Sequence, residues 1–145
     1  MNEKNPTLSP DNLVERNGLK YKKFNDVPFT GSVKGKQKGT YKDGKKEGLW
    51  ERYHWNGQLE KKGTYKNFKK DGLWETYYEN GKLKKRGAYK DGNEDDLWVS
   101  YYGNGQLLSK STYKDGAREG LYEYYDENGK LKKKGTYKDG KLISD

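Results

Sequence analysis

One phrase recurs every 24 residues along this chain. Gly39-Thr40-Tyr41-Lys42-Asp43-Gly44 returns as Gly63-Thr64-Tyr65-Lys66-Asn67-Phe68 and as Gly87-Ala88-Tyr89-Lys90-Asp91-Gly92. It returns again as Ser111-Thr112-Tyr113-Lys114-Asp115-Gly116 and as Gly135-Thr136-Tyr137-Lys138-Asp139-Gly140. A fixed period without insertions means one supersecondary unit stacked on itself, each copy burying its neighbour's open face. Function must then lie on the surface of an array.

Composition alone would mislead. With 29% hydrophobic and 37% charged residues and a mean hydropathy of -1.46, the chain falls near the disordered class. The 14 Tyr and 4 Trp counter this, because most return at fixed places in the repeat. Apolar material is concentrated where neighbouring units can share it, which implies a thin, one-sided core.

Each unit reads as two strands. Asn56-Gly57, Asn80-Gly81, Asn104-Gly105 and Asn128-Gly129 sit between runs rich in Tyr, Trp and Leu. Asn-Gly in that setting predicts a two-residue type I′ hairpin turn. Taking Asn80 and Gly81 as the turn pairs Glu79 with Lys82, Tyr78 with Leu83, Tyr77 with Lys84, Glu75 with Arg86 and Trp74 with Gly87.

Alternation then separates a core face carrying Trp74, Tyr78, Leu83, Gly87 and Tyr89 from a charged face. The expected core is Trp50, Trp74, Trp98 and Tyr122 with Leu59, Leu83, Leu107 and Leu131, each ring opposite Gly63, Gly87, Ser111 or Gly135. Tyr41 to Gly48 reads as the turn between hairpins. The fold class is all-β: an elongated, twisted antiparallel meander of stacked β-hairpin repeats.

Residues 1–12 are expected to be a flexible N-terminal segment and 13–38 degenerate capping strands, including Leu19 to Phe24 and Pro28 to Val33. Repeats occupy 39–145, divided as 39–62, 63–86, 87–110, 111–134 and a partial 135–145. Met1 to Asp11 is polar and has no apolar h-region, so neither a signal peptide nor a membrane span is expected. Localisation stays open: cytoplasmic if Met1 is native, cell envelope or secreted if a leader has been removed. With no cysteine, redox compartment cannot be read.

The pattern Tyr41-Lys42-Asp43-Gly44-Lys45-Lys46-Glu47-Gly48, followed by Leu49-Trp50 and the Asn56-Gly57-Gln58-Leu59 hairpin, resembles the MORN repeat (membrane occupation and recognition nexus). The likeness is to the variant form common in bacterial proteins, some of them antitoxin-like, and covers about residues 28 to 141. It implies a β-hairpin array used as a binding or assembly surface, with roles ranging from acidic-lipid association to protein scaffolding. In the antitoxin-like branch it implies neutralisation of a partner toxin. No catalytic residues come with the resemblance. Phe68 and Asp96 depart from the pattern, each standing where the motif has Gly.

Catalysis finds no support. The single histidine, His54, occupies the slot of Tyr78 and Tyr102, which marks it as a packing substitute. One His and no Cys argue against zinc. Carboxylates recur opposite Lys or Arg, and the glycines close hairpins rather than phosphate loops. The reading is a non-enzymatic protein without metal or cofactor.

The net charge of +9 favours anionic partners, although interspersed Lys and Glu more often form a solvated face. Two binding readings follow. In the first, the array binds a protein partner, with an antitoxin or immunity protein as one form. Its site is the third repeat, where Val99 replaces Glu and Leu108 replaces Glu60, Lys84 and Lys132, giving an apolar patch of Val99, Tyr101 and Leu108. Trp55, beside a hairpin tip, is the second candidate. In the alternative, a cell-envelope module holds anionic lipid headgroups or glycan through an aromatic face flanked by Lys61, Lys85 and Lys133. Nucleic acid is disfavoured, and edge strands offer a route to oligomers.

Overall fold

The structure is a computed structural model and describes residues 7–144. Strands dominate it: β1 (Thr7–Leu8), β2 (Leu13–Arg16), β3 (Leu19–Lys22), β4 (Gly31–Lys34), β5 (Gln37–Lys42), β6 (Lys45–Tyr53) and β7 (Leu59–Lys66). They continue as β8 (Lys69–Tyr77), β9 (Leu83–Lys90), β10 (Asn93–Tyr101), β11 (Leu107–Lys114), β12 (Ala117–Tyr125), β13 (Leu131–Lys138) and β14 (Lys141–Ser144). From β4 onward each strand pairs antiparallel with the next in sequence, so the repeats form one all-β meander of stacked hairpins. β1 adds to β4 in parallel, and β2 and β3 form a separate hairpin.

The N-terminal stretch corrects one expectation. Residues 7–12, expected to be part of a flexible segment, are built into the fold as β1 and a 3-10 turn over Pro10–Asn12. Residues 1–6 of that segment lie outside the described residues. The β2–β3 hairpin folds onto the start of the sheet, with Leu13 against the cluster of Phe29, Val33, Tyr41 and Trp50. It is fastened by the Lys20 amide donating to the Gly44 carbonyl at 2.9 Å and the Phe29 amide donating to the Lys20 carbonyl at 2.8 Å. β3 ends at Lys22. Phe24 lies beyond it, with φ +62° and its ring fully exposed.

The two kinds of turn are the reverse of the sequence expectation. Type I′ turns occur at Asp43-Gly44, Asn67-Phe68, Asp91-Gly92, Asp115-Gly116 and Asp139-Gly140, where both residues have positive φ. The segment from Tyr41 to Gly48 is thus a tight hairpin inside two long strands, with Lys42 paired to Lys45. At the Asn-Gly tips only the glycine has positive φ. The Gly81 amide donates to the Tyr78 carbonyl and the Tyr78 amide to the Lys82 carbonyl, both at 2.9 Å. That is a type I turn closed by a glycine bulge, one residue longer than a type I′ turn.

The extra residue changes the register. Trp74 pairs with Gly87, Glu75 with Arg86 and Thr76 with Lys85, as expected. Tyr77 then pairs with Leu83, and Lys84 becomes the unpaired residue of a bulge. Tyr53–Leu59, Tyr101–Leu107 and Tyr125–Leu131 repeat the shift. The tip asparagines join the units: Asn56, Asn80 and Asn104 each donate through Nδ2 to the carbonyl of Glu79, Gly103 and Glu127 in the following tip.

Phe68 keeps the turn geometry at φ +66°, a region that a bulky side chain enters at a cost of about 1–2 kcal/mol. Phe68→Gly should remove that cost and return part of it through the larger freedom of unfolded glycine. A net gain of about 0.5–1 kcal/mol is expected, read as a higher melting temperature. A lower one would mean that the Lys45 ammonium, 5.5 Å from the Phe68 ring centroid, holds the turn in place.

Candidate binding faces

Strand alternation gives the single-layer sheet two unlike faces. The aromatic face is a column of rings in which neighbours meet edge to face. Tyr41–Trp50, Tyr65–Trp74, Tyr89–Trp98 and Tyr122–Tyr137 have centroids 4.8, 5.2, 5.0 and 5.9 Å apart. Trp50, Trp74 and Trp98 are buried, and Tyr122 is half-buried.

Each indole lies flat over the glycine of the preceding strand rather than the one expected. A Cβ on Gly63 would meet Trp74 Cδ2 at 2.0 Å, and one on Gly87 would meet Trp98 Cδ2 at 2.0 Å. The ring ends a bulge of three residues that begins at Gly48, Gly72 or Asp96. Its Nε1 donates to the carbonyl of Thr40, Thr64 or Ala88 at 3.1, 3.2 and 3.1 Å. Asp96 keeps that bulge with φ +62°.

Cations cover the rings. Lys46 Nζ stands 4.7 Å from the Trp50 ring centroid, Lys70 Nζ 4.8 Å from Trp74, Lys85 Nζ 5.1 Å from Trp98, and the Arg118 guanidinium 4.9 Å from Tyr122. Lys46, Lys61, Lys70 and Arg52 converge with Trp50, Tyr65 and Trp74 in a shallow cleft of about 80 Å³. Arg52 is held toward Glu60 at 3.6 Å. Among the described residues no carboxylate lies within 4.0 Å of the ammonium of Lys46, Lys61 or Lys70.

The crowding shows in the acid–base behaviour. Burial lowers the Lys46 pKa below its ordinary value, and the charges of Lys20, Lys61 and Lys70 lower it further. Burial lowers Lys70 likewise, followed by Lys61. Burial pushes the Tyr41 phenol up to about 12.

Of the lysines singled out from sequence, only Lys61 enters this cleft. Lys85 sits over Trp98, and Lys133 is exposed near the far end. Sequence reasoning missed Lys46, Lys70 and Arg52. The pairings Tyr41–Lys46 and Tyr65–Lys70 would have found the two lysines had the stretch from Tyr41 to Gly48 been read as strand.

The opposite face is apolar in two rows. Leu49, Leu73, Leu97 and Leu121 recur at the repeat spacing and are 58, 45, 50 and 65% exposed. Leu59, Leu83, Leu107 and Leu131, expected in the core, line this face instead, because the tip bulge pairs them with Tyr53, Tyr77, Tyr101 and Tyr125. None is buried.

The bulge also divides the patch expected at repeat three. Val99 and Tyr101 share the leucine face, with Leu107 opposite Tyr101. Leu108 is the bulged residue, at the position from which Glu60, Lys84 and Lys132 reach toward His54, Tyr78 and Asp126. Trp55 stands at a tip and is 84% exposed.

His54 fills the Tyr slot in function as well as in place. Its Nε2 bonds the Tyr77 carbonyl at 2.8 Å, as the hydroxyls of Tyr78 and Tyr102 donate to the carbonyls of Tyr101 and Tyr125 at 2.6 and 2.7 Å. His54→Tyr should therefore shift stability by less than about 1 kcal/mol in a denaturant titration, whereas His54→Ala, which leaves that carbonyl without its donor, should cost about 1–3 kcal/mol. Among the described residues no group of three or more His, Asp or Glu is placed to hold a metal, and no helix is long and apolar enough to cross a membrane.

A one-layer sheet whose two broad faces differ in chemistry defines a repeat protein that presents surfaces for binding. The MORN repeat variant matches residues 46–67, 70–91, 97–115 and 118–139, together more than half of the chain. The chain belongs to that family. No curated protein matches it.

Proposed function

We propose that this protein is a non-enzymatic module that binds a protein partner through its leucine face. The supporting observation is the exposed row of Leu49, Leu73, Leu97 and Leu121, which no other element covers among the described residues. A regular apolar row of this extent on a folded surface is the usual mark of a protein contact. Val99 and Tyr101 lie within that face, and Trp55 is a separate contact at the tip. Neutralisation of a toxin, or an immunity role, is the form such binding takes in the antitoxin-like branch of the resemblance.

Photoreactive residues at Leu73 and at Thr76, on opposite faces of one strand, test the reading in cells that make the protein. A discrete adduct from Leu73 and none from Thr76 is expected; the reverse would overturn it. If the partner is a toxin, co-expression should suppress its toxicity, and Leu73→Asp with Leu97→Asp should restore it.

The cleft of Lys46, Lys61 and Lys70 favours a second reading, in which the aromatic face holds an anionic lipid headgroup or glycan. Replacing the three lysines by Gln should reduce binding to anionic vesicles and flatten its salt dependence. The lowered pKa values of Lys46 and Lys70 mean that these two lose their protons before ordinary lysines do as pH rises. Anion binding should weaken in that same window. Wild-type protein that ignores anionic vesicles and sulfated glycan at low salt would end this reading.

A further inference from the structure

We propose that the leucine face receives an acidic segment of the partner protein at repeat three, its carboxylate seated over Val99 between Arg86 and Lys110. The inference rests on the protein-binding reading and names the partner's chemistry.

A row of residues crosses the middle of this face, each paired to the next on the neighbouring strand: Lys38, Glu51, Lys62, Glu75, Arg86, Val99, Lys110, Glu123 and Lys134. Sign alternates along the row except at one position. Glu51, Glu75 and Glu123 each stand between two cations, as in the Lys62 ammonium 3.9 Å from Glu75. At the third repeat the carboxylate is absent, and Val99 lies between Arg86 and Lys110, both exposed.

A hydroxyl marks the same gap. Tyr53 donates to Glu51 at 2.7 Å, Tyr77 to Glu75 at 3.1 Å, and Tyr125 to Glu123. Among the described residues the Tyr101 hydroxyl makes no such bond, because its counterpart acceptor is Val99. A guanidinium, an ammonium and a phenol thus surround a place where every other unit supplies a carboxylate. One strand on either side of Val99 sets Arg86 and Lys110 roughly 9–10 Å apart, the same spacing as the two cations that flank each Glu in the neighbouring units.

The surroundings fix the rest of the ligand. Leu97, half exposed, and the Tyr101–Leu107 pair flank the gap. An isolated carboxylate in water would be held weakly by two exposed cations, since solvent screens such pairs. An Asp or Glu with apolar residues on either side would cover the leucines while it entered the gap, and the excluded water would strengthen each polar contact. The charge of the whole chain, +9, favours approach of such a segment.

The test uses the full chain and three fluorescent decapeptides of alternating sequence: Leu-Glu, Leu-Gln and Leu-Lys. The Leu-Glu peptide should bind at least tenfold more tightly than the Leu-Gln peptide, with amide shifts centred on residues 86, 99 and 110. The Leu-Lys peptide should bind least. Val99→Glu should lower Leu-Glu affinity by more than tenfold, because the protein then supplies its own carboxylate, and should leave the melting temperature equal or higher. Val99→Leu, which keeps the gap, should retain binding.

Equal affinity for the Leu-Glu and Leu-Gln peptides would overturn the acidic inference and leave the leucine-face reading standing. Binding of Leu-Glu that maps to Lys46, Lys61 and Lys70, or that survives Val99→Glu, would overturn the inference as well. Failure of every peptide to bind, together with no adduct from Leu73, would overturn both.

Discussion

Trp74→Ala should lower the stability of the array by about 3–5 kcal/mol, the range for buried large aromatics. The indole is central to four contacts at once. It covers Gly63, meets Tyr65 and Tyr89 edge to face with centroids 5.2 and 6.0 Å away, and donates to the Thr64 carbonyl. Truncation would empty the slot, remove the donor and strip Lys70 of the ring beneath it. Trp55→Ala supplies the control within one chain: that ring is 84% exposed, and its loss should cost less than about 0.5 kcal/mol. A denaturant titration of both variants gives the comparison. Equal midpoints would mean that the aromatic column is not the core.

The second large effect concerns the glycine beneath the ring. Gly87→Ser should cost about 2–3 kcal/mol, because its Cβ would fall 2.0 Å from Trp98 Cδ2 and force the indole off its seat. The fourth repeat already contains the compensated form, with buried Ser111 paired to the smaller ring of Tyr122. Adding Trp98→Tyr to Gly87→Ser should therefore cost less than the sum of the two single changes, with a coupling of about 1 kcal/mol or more. Strict additivity in the double-mutant cycle would show that ring and glycine do not share a slot.

The unit length, the hairpins and the pairing of Trp74 with Gly87 all follow from periodicity, because a 24-residue repeat with fixed aromatic positions leaves few ways to align two strands. The tips do not follow. Asn-Gly serves both a two-residue type I′ turn and the glycine bulge of a type I turn, and only the longer turn is compatible with Tyr78 pairing to Lys82. A one-residue difference in register moves a side chain to the other face of a sheet. That single residue placed Leu59, Leu83, Leu107 and Leu131 among the expected core and set Leu108 beside Tyr101. The break at Val99 was visible in the repeat itself. Its pairing to both Arg86 and Lys110, and the Tyr101 hydroxyl without its carboxylate, emerge only when three strands are laid side by side.

From β4 onward strand order in space repeats strand order in sequence, so no pairing from there spans more than a turn and its two arms. The chain can therefore fold by extending one edge at a time, without the distant encounters that slow barrels and sandwiches. Such low contact order predicts rapid folding for an all-β protein, and amide exchange that varies from unit to unit rather than as one block. A lesion in one unit should then be felt by its two neighbours and fade beyond them.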